Sequence, residues 1–140
     1  MKVLEINDSK HLIEKVGYQY FFSQLIATLE EDYKNWESFD KCPRVANHLD
    51  PGVIELMPIS NESMYSFKYV NGYPKNLEQN NLTVMATGHL YETSTGEPLM
   101  FSEIPLLTAF RTAATSAMVA KHVADKKSKV LALIGSGAQS

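Results

Sequence analysis

The sequence predicts an α/β chain. Its main part is an α+β domain on a mixed sheet, followed by the first strand and glycine turn of a second, truncated unit. Three observations carry this. Apolar residues recur at helical spacing between residues 10 and 36, then at a period of two from 42 to 102. Residues 104–124 form an Ala-rich helical run almost free of charge. Residues 129–134, Lys-Val-Leu-Ala-Leu-Ile, are a continuous apolar run that ends in Gly-Ser-Gly-Ala-Gln-Ser.

Residues 2–6 read as a short strand, and Asn7, Asp8 and Ser9 offer N-cap oxygens to the helix after it. Leu12, Ile13, Val16, Phe22, Leu25, Ile26, Leu29 and Tyr33 mark the helical stripe, which Gly17 breaks into two helices. Strands are expected at 44–49, 53–59, 64–70, 82–91 and 97–102, rich in Val, Ile, Tyr, Phe, Thr and Met. Turn signals separate them: Asp50-Pro51-Gly52, Ser60-Asn61-Glu62, Asn71-Gly72-Tyr73-Pro74 and Ser94-Thr95-Gly96-Glu97-Pro98. The last is the clearest hairpin. Ser102 reads as the N-cap of the Ala-rich helix, with Pro105 in its first turn.

Composition narrows the function classes. The chain has 140 residues, one domain by the usual scale of roughly 100–150. Thirteen Lys+Arg against sixteen Asp+Glu leave a net charge of −3 and no basic stripe, which argues against nucleic acid as partner. No apolar run approaches the ~20 residues of a membrane span, and the N-terminus has no signal-peptide pattern. The single cysteine, Cys42, excludes an intrachain disulfide, belongs to no nucleophile motif and fits a reducing, cytoplasmic setting. His11, His48, His89 and His122 show no ligand spacing, so no metal site is expected. Phosphate-loop and GxSxG sequences are absent.

Several positions carry possible chemistry. Gly135 and Gly137, with Ala138, Gln139 and Ser140, follow an apolar strand as a dinucleotide-binding turn does: the first glycine turns the chain and the second lets backbone approach a pyrophosphate. Ser140 stands at the third glycine position. The helix that completes such a site would lie beyond residue 140, so the chain reads as the N-terminal part of a longer enzyme. The two arginines stand out against eleven lysines, because Arg suits bidentate recognition of carboxylate. Arg111 lies mid-helix among apolar neighbours with no anion one turn away; it either snorkels, pairs with a distant carboxylate, or meets a ligand anion. Arg44 and Lys68 are either solvated strand cations or the rest of an anion clamp. Glu55, in an apolar strand, either faces solvent or holds an amine. Thr83, Thr87 and His89 are expected on one strand face.

Six segments together resemble the ornithine cyclodeaminase/mu-crystallin family: Arg44-Val-Ala46, Gly52-Val-Ile-Glu-Leu-Met-Pro58, Phe67-Lys-Tyr-Val-Asn-Gly72, Thr83-Val-Met-Ala86, Leu107-Thr-Ala-Phe-Arg-Thr-Ala-Ala-Thr-Ser116 and Ala132-Leu-Ile-Gly-Ser-Gly-Ala-Gln-Ser140. The resemblance implies a substrate-binding and dimerisation domain over 1–128, which in the family pairs with its twin through the sheet to form a shared barrel. Residues 129–140 would open a Rossmann domain. It implies Arg44, Lys68 and Arg111 on an amino-acid carboxylate, and Glu55 near its amine. Thr83 and Arg111 would contact NAD, with Gly135, Gly137, Ala138 and Gln139 at its pyrophosphate. The family's acid/base aspartate would lie past residue 140. The implied reaction of the complete protein takes L-ornithine to L-proline and ammonia: the α-hydride passes to NAD+, the δ-amine closes on the imine, and the hydride returns. Lys-Tyr-Val-Asn-Gly favours this branch over the family's alanine dehydrogenases, lysine cyclodeaminases and ketimine reductases. A non-catalytic mu-crystallin-like binding protein, or an inactive relic, is the alternative of another class.

Overall fold

The structure is a computed structural model that describes residues 1–135 and Gly137. Its elements run β1 (Lys2–Leu4), α1 (Ile6–Val16), α2 (Tyr18–Lys34), β2 (Asp40–Lys41), β3 (Val45–Leu49), β4 (Gly52–Ser60), β5 (Met64–Gly72), β6 (Ala86–Glu92), β7 (Pro98–Glu103) and α3 (Pro105–Val123). The predicted α+β domain with a mixed sheet is what forms. The sheet order is β1-β7-β6-β5-β4-β2, with β3 beside β2 on the same side of β4. Every pairing is antiparallel except β1 on β7, which is parallel.

Gly17 separates the first two helices because it takes φ +84°, a left-handed conformation that only glycine adopts without strain. The first helix starts earlier than its capping residues suggest. Glu5 is its N-cap, and Asp8, one turn in, accepts the Glu5 N–H at 2.9 Å. Ser102 is not a cap. Strand β7 continues to Glu103, Ser102 is fully buried within it, and Glu103 Oε2 accepts the Leu106 N–H at 3.1 Å instead.

Alternation gives the sheet two different faces. One carries Glu55, Lys68, Ala86, Gly88 and Ser102; the register Met57↔Lys68, Lys68↔Gly88 and Gly88↔Ser102 aligns β4, β5, β6 and β7 across it. The helices lie over this face. Gly88 shows how close they come, since a Cβ there would sit 2.5 Å from Ile104 Cδ1 at the start of α3. Phe21 and Phe22 of α2 meet Phe110 of α3 edge-on at 5.8 and 5.5 Å, closing the helical layer. The opposite face carries Tyr65, Phe67, His89, Tyr91 and Phe101 as a contiguous ring cluster, with Phe67 stacked on His89 at 4.4 Å and Phe101 edge-on to it at 4.8 Å.

Two sequence expectations fail here. The strand expected at 82–91 begins only at Ala86, because residues 82–85 depart from the ladder. The strand expected at 129–134 is not formed. A parallel strand exists only through ladder bonds to a neighbour, and none of the seven strands takes this segment, leaving Val130 and Ile134 exposed.

Candidate functional site

Register builds the site before any side chain is considered. Ala46↔Glu55 and Met57↔Lys68 place Glu55 and Lys68 as diagonal neighbours on the helix-covered face. Arg44 sits in the three-residue break between β2 and β3, directly beside this diagonal. Its Nη1 donates to Glu55 Oε1 at 2.8 Å, with the Arg44 side chain 59% exposed and Glu55 19% exposed. Glu55 therefore points neither to open solvent nor to an empty pocket in this state.

Lys68 reports the convergence. Its amine is held below its ordinary value of 10.5, first by burial, then by the Arg111 and Arg44 guanidinium groups, with Glu55 pulling the other way. Arg44 and Glu55 are in direct contact, and the charges of Arg111 and Arg44 are the ones that act on the Lys68 amine. Among the described residues no carboxylate lies within ion-pair distance of Lys68 or Arg111. Arg111 itself is exposed, not embedded. Helix α3 buries only Ala109, Ala114 and Met118, so the apolar run around Arg111 does not enclose it. What sets Arg111 apart is that, of the neighbouring charges, it acts most on the Lys68 amine.

A cleft of about 590 Å³ adjoins the start of α3. Thr83, Ala86, Thr108, Ala109, Gly135 and Gly137 line it. Thr83 thus faces the helix side, while Thr87 and His89 lie on the opposite face; the expected common face for the three is wrong, because Thr83 precedes the strand. Gly135 takes φ +102°, the left-handed turn that a glycine permits. Ala138 and Gln139 lie outside the described residues. Sequence reasoning missed Thr108, a cleft residue hidden in helical periodicity, and Gly88, whose missing side chain lets Ile104, at the start of α3, pack on β6. It also took Asn71 for a turn residue.

Among the described residues no cluster of His, Cys, Asp or Glu is arranged to hold a metal, and no helix is long and apolar enough to cross a membrane.

The family model of the ornithine cyclodeaminase/mu-crystallin family matches residues 8–140. The chain belongs to this family. Ornithine cyclodeaminase of Agrobacterium fabrum (strain C58) is 50% identical over 137 residues, covering 98% of this chain and 39% of that protein. The chain therefore spans about two fifths of the length of this relative of the ornithine cyclodeaminase/mu-crystallin family. A lysine cyclodeaminase, solved to explain recognition of L-lysine, L-ornithine and L-2,4-diaminobutyric acid, superposes with TM-score 0.86 at 28% identity, over 98% of this chain and 42% of that one. An archaeal alanine dehydrogenase dimer with bound NAD superposes with TM-score 0.85 at 27% identity, over 98% and 41%.

Proposed function

We propose that this chain is the substrate-binding and dimerisation part, residues 1–128, of an NAD-dependent ornithine cyclodeaminase, with 129–140 opening its Rossmann domain. The complete enzyme converts L-ornithine to L-proline and ammonia with no net redox change. What supports the reading is the Arg44–Glu55 pair at 2.8 Å on the Lys68 face of the sheet, together with a half-buried Lys68 whose amine is held down by burial and by the charges of Arg111 and Arg44. Three cations against one anion leave an excess of positive charge, which suits a carboxylate guest. The lone Glu55 suits the ammonium of the same guest. An α-amino acid carries both groups, and 50% identity to an ornithine cyclodeaminase supports L-ornithine among amino acids.

In this reading the chain's residues position. Arg44, Lys68 and Arg111 hold the carboxylate and so fix the Cα–H bond; Glu55 leaves Arg44 to hold the amine. Such positioning is worth about 7–11 kcal/mol at best. NAD, when bound, supplies a hydride acceptor and then a donor. In this reading it lies in the cleft beside α3, which Thr83, Gly135 and Gly137 line and Arg111 does not: Thr83, with Arg111 from further along α3, would contact the nicotinamide half, and Gly135, with its left-handed φ, together with Gly137, Ala138 and Gln139, would meet the pyrophosphate.

A second copy of this chain fits the aromatic face. The rings of Phe67, His89, Tyr91 and Phe101 form a continuous apolar surface that no helix covers, and one structural relative is a dimer. Phe67→Lys is expected to shift the sedimenting mass of the complete protein from dimer to monomer. A cytoplasmic setting fits the exposed free thiol of Cys42.

The deciding experiment supplies the complete protein with L-ornithine and NAD and follows proline and ammonia. Pyruvate from L-alanine, with no proline from ornithine, would move the protein to the dehydrogenase branch. The 140-residue chain by itself is expected to show no turnover and weak NAD binding.

A further inference from the structure

Thirteen residues, 73–85, connect β5 to β6, and Thr83 lies near their end on the cleft beside α3. Pro74–Gln79 of this connection form a short 3-10 helix; the rest costs ordering entropy, so a residue on it is placed only as well as it is tied. Asn81 N–H donates to the Asn76 carbonyl at 2.9 Å inside the connection, and three further ties hold the part from Leu82 to Met85. Tyr73 N–H donates to the Thr83 carbonyl at 2.8 Å. Asn76 Nδ2 donates to the Leu82 carbonyl at 2.9 Å, in an exposed position. Asn71 makes the third, and it is of another kind.

Asn71 is 8% exposed. Its N–H donates to the Met85 carbonyl at 3.0 Å, while its side-chain Oδ1 accepts the Met85 N–H at 2.6 Å. In a regular antiparallel pair the backbone carbonyl would take that N–H. Here the carboxamide replaces it, so the chain at 83–85 is displaced from the ladder yet still held at two points. This explains why β6 begins at Ala86 although residues 82–85 read as strand. The Asn71 end of this tie is buried, whereas the Asn76 tie is exposed, and a hydrogen bond is stronger away from water and its loss more costly there.

We infer that Asn71 is a positioning residue for Thr83: its carboxamide, acting through Met85, fixes the threonine in the cleft where the dinucleotide binds. The inference rests on the proposed cofactor role of Thr83. It predicts that Asn71 acts on cofactor affinity through Thr83 and not independently of it.

The test is a double-mutant cycle on the complete protein, with NAD affinity read by equilibrium titration. Asn71→Leu removes the acceptor at similar volume and is expected to weaken NAD binding by about tenfold. Thr83→Val is expected to weaken it comparably, and Asn71→Leu is expected to add little in the Thr83→Val background. Asn71→Asp keeps an acceptor and is expected to bind NAD within about threefold of the parent. Fully additive losses, or unchanged affinity in Asn71→Leu with Thr83→Val impaired, overturn the inference. Unchanged affinity in Thr83→Val overturns the cofactor role of Thr83, and the inference with it. Where Asn71→Leu yields no folded protein, amide exchange at Met85 in Asn71→Asp decides: protection kept with parental affinity supports the inference, and protection lost with parental affinity refutes it.

Discussion

Replacing Glu55 by glutamine separates two effects of that carboxylate. At 2.8 Å its attraction to Arg44 is about 1.5 kcal/mol in bulk water and about 6 kcal/mol at an effective dielectric of 20. Arg44 is 59% exposed, so solvent screening and side-chain ordering offset most of that, and such pairs contribute about 0–1 kcal/mol net. Glu55→Gln is therefore expected to leave the unfolding free energy within about 1 kcal/mol of the parent. Lys68 responds more strongly. Burial, Arg111 and Arg44 push its amine down, and Glu55 opposes them. Removing Glu55 therefore lowers it further, whereas Arg44→Ala raises it. A lysine whose folded value lies below the unfolded 10.5 opposes folding while charged. As pH rises, the folded chain releases that proton first, so stability is regained between the folded value and 10.5. In Glu55→Gln this recovery starts at lower pH. The assay is a pH titration of the Lys68 Cε resonance in 13C-lysine-labelled protein. An unmoved or raised midpoint in Glu55→Gln would show that the carboxylate and the amine do not share a site.

Other expectations are simpler to check. Gly88→Ala drives a Cβ against Ile104 and should cost about 1–3 kcal/mol in chemical denaturation, with Ile104→Val recovering part of it. Glu30 accepts from Lys121 Nζ at 2.6 Å and lies 3.2 Å from His122, tying α2 to α3; chiefly the Lys121 hydrogen bond holds its carboxyl below the usual 4.5. Its contribution is full above 4.5 and fades as pH falls through the folded value, so the Tm difference between the parent and Glu30→Gln should shrink in acid. In the complete enzyme Arg111→Ala should reduce kcat/KM for ornithine by at least about a hundredfold, while Lys126→Ala leaves it unchanged; equal effects would make Arg111 an ordinary surface cation.

Much of the domain is legible without coordinates. Period-two segments between 44 and 102 locate five strands to within a few residues, because half-buried strands must alternate. Gly17 announces a helix break because a positive φ there excludes most other residues. The site is legible only as a set of candidates. That Lys68 and Glu55 share a face is a matter of register between two strands, and a slip of one residue would have separated them. No single sequence contains that offset. Arg111 looked special for its apolar neighbours, yet it is exposed on α3, and what distinguishes it is its charge acting on Lys68 of β5. The three-residue β1 is parallel to β7 across about a hundred residues, a pairing no local pattern encodes. Asn71 misleads because Asn-Gly is a turn signal, while here its carboxamide stands in for backbone and carries β5 to Gly72.

The interrupted border of the sheet has a further effect. Two short pieces, β2 and β3, line the outer side of β4, with Cys42, Pro43 and Arg44 between them, and the far border is only three residues long. Long, unbroken margins invite foreign chains to add on and grow into fibrils; brief ones with a proline offer too few free amides in a row. The gap from which Arg44 reaches Glu55 thus also guards a β-rich molecule against runaway self-association.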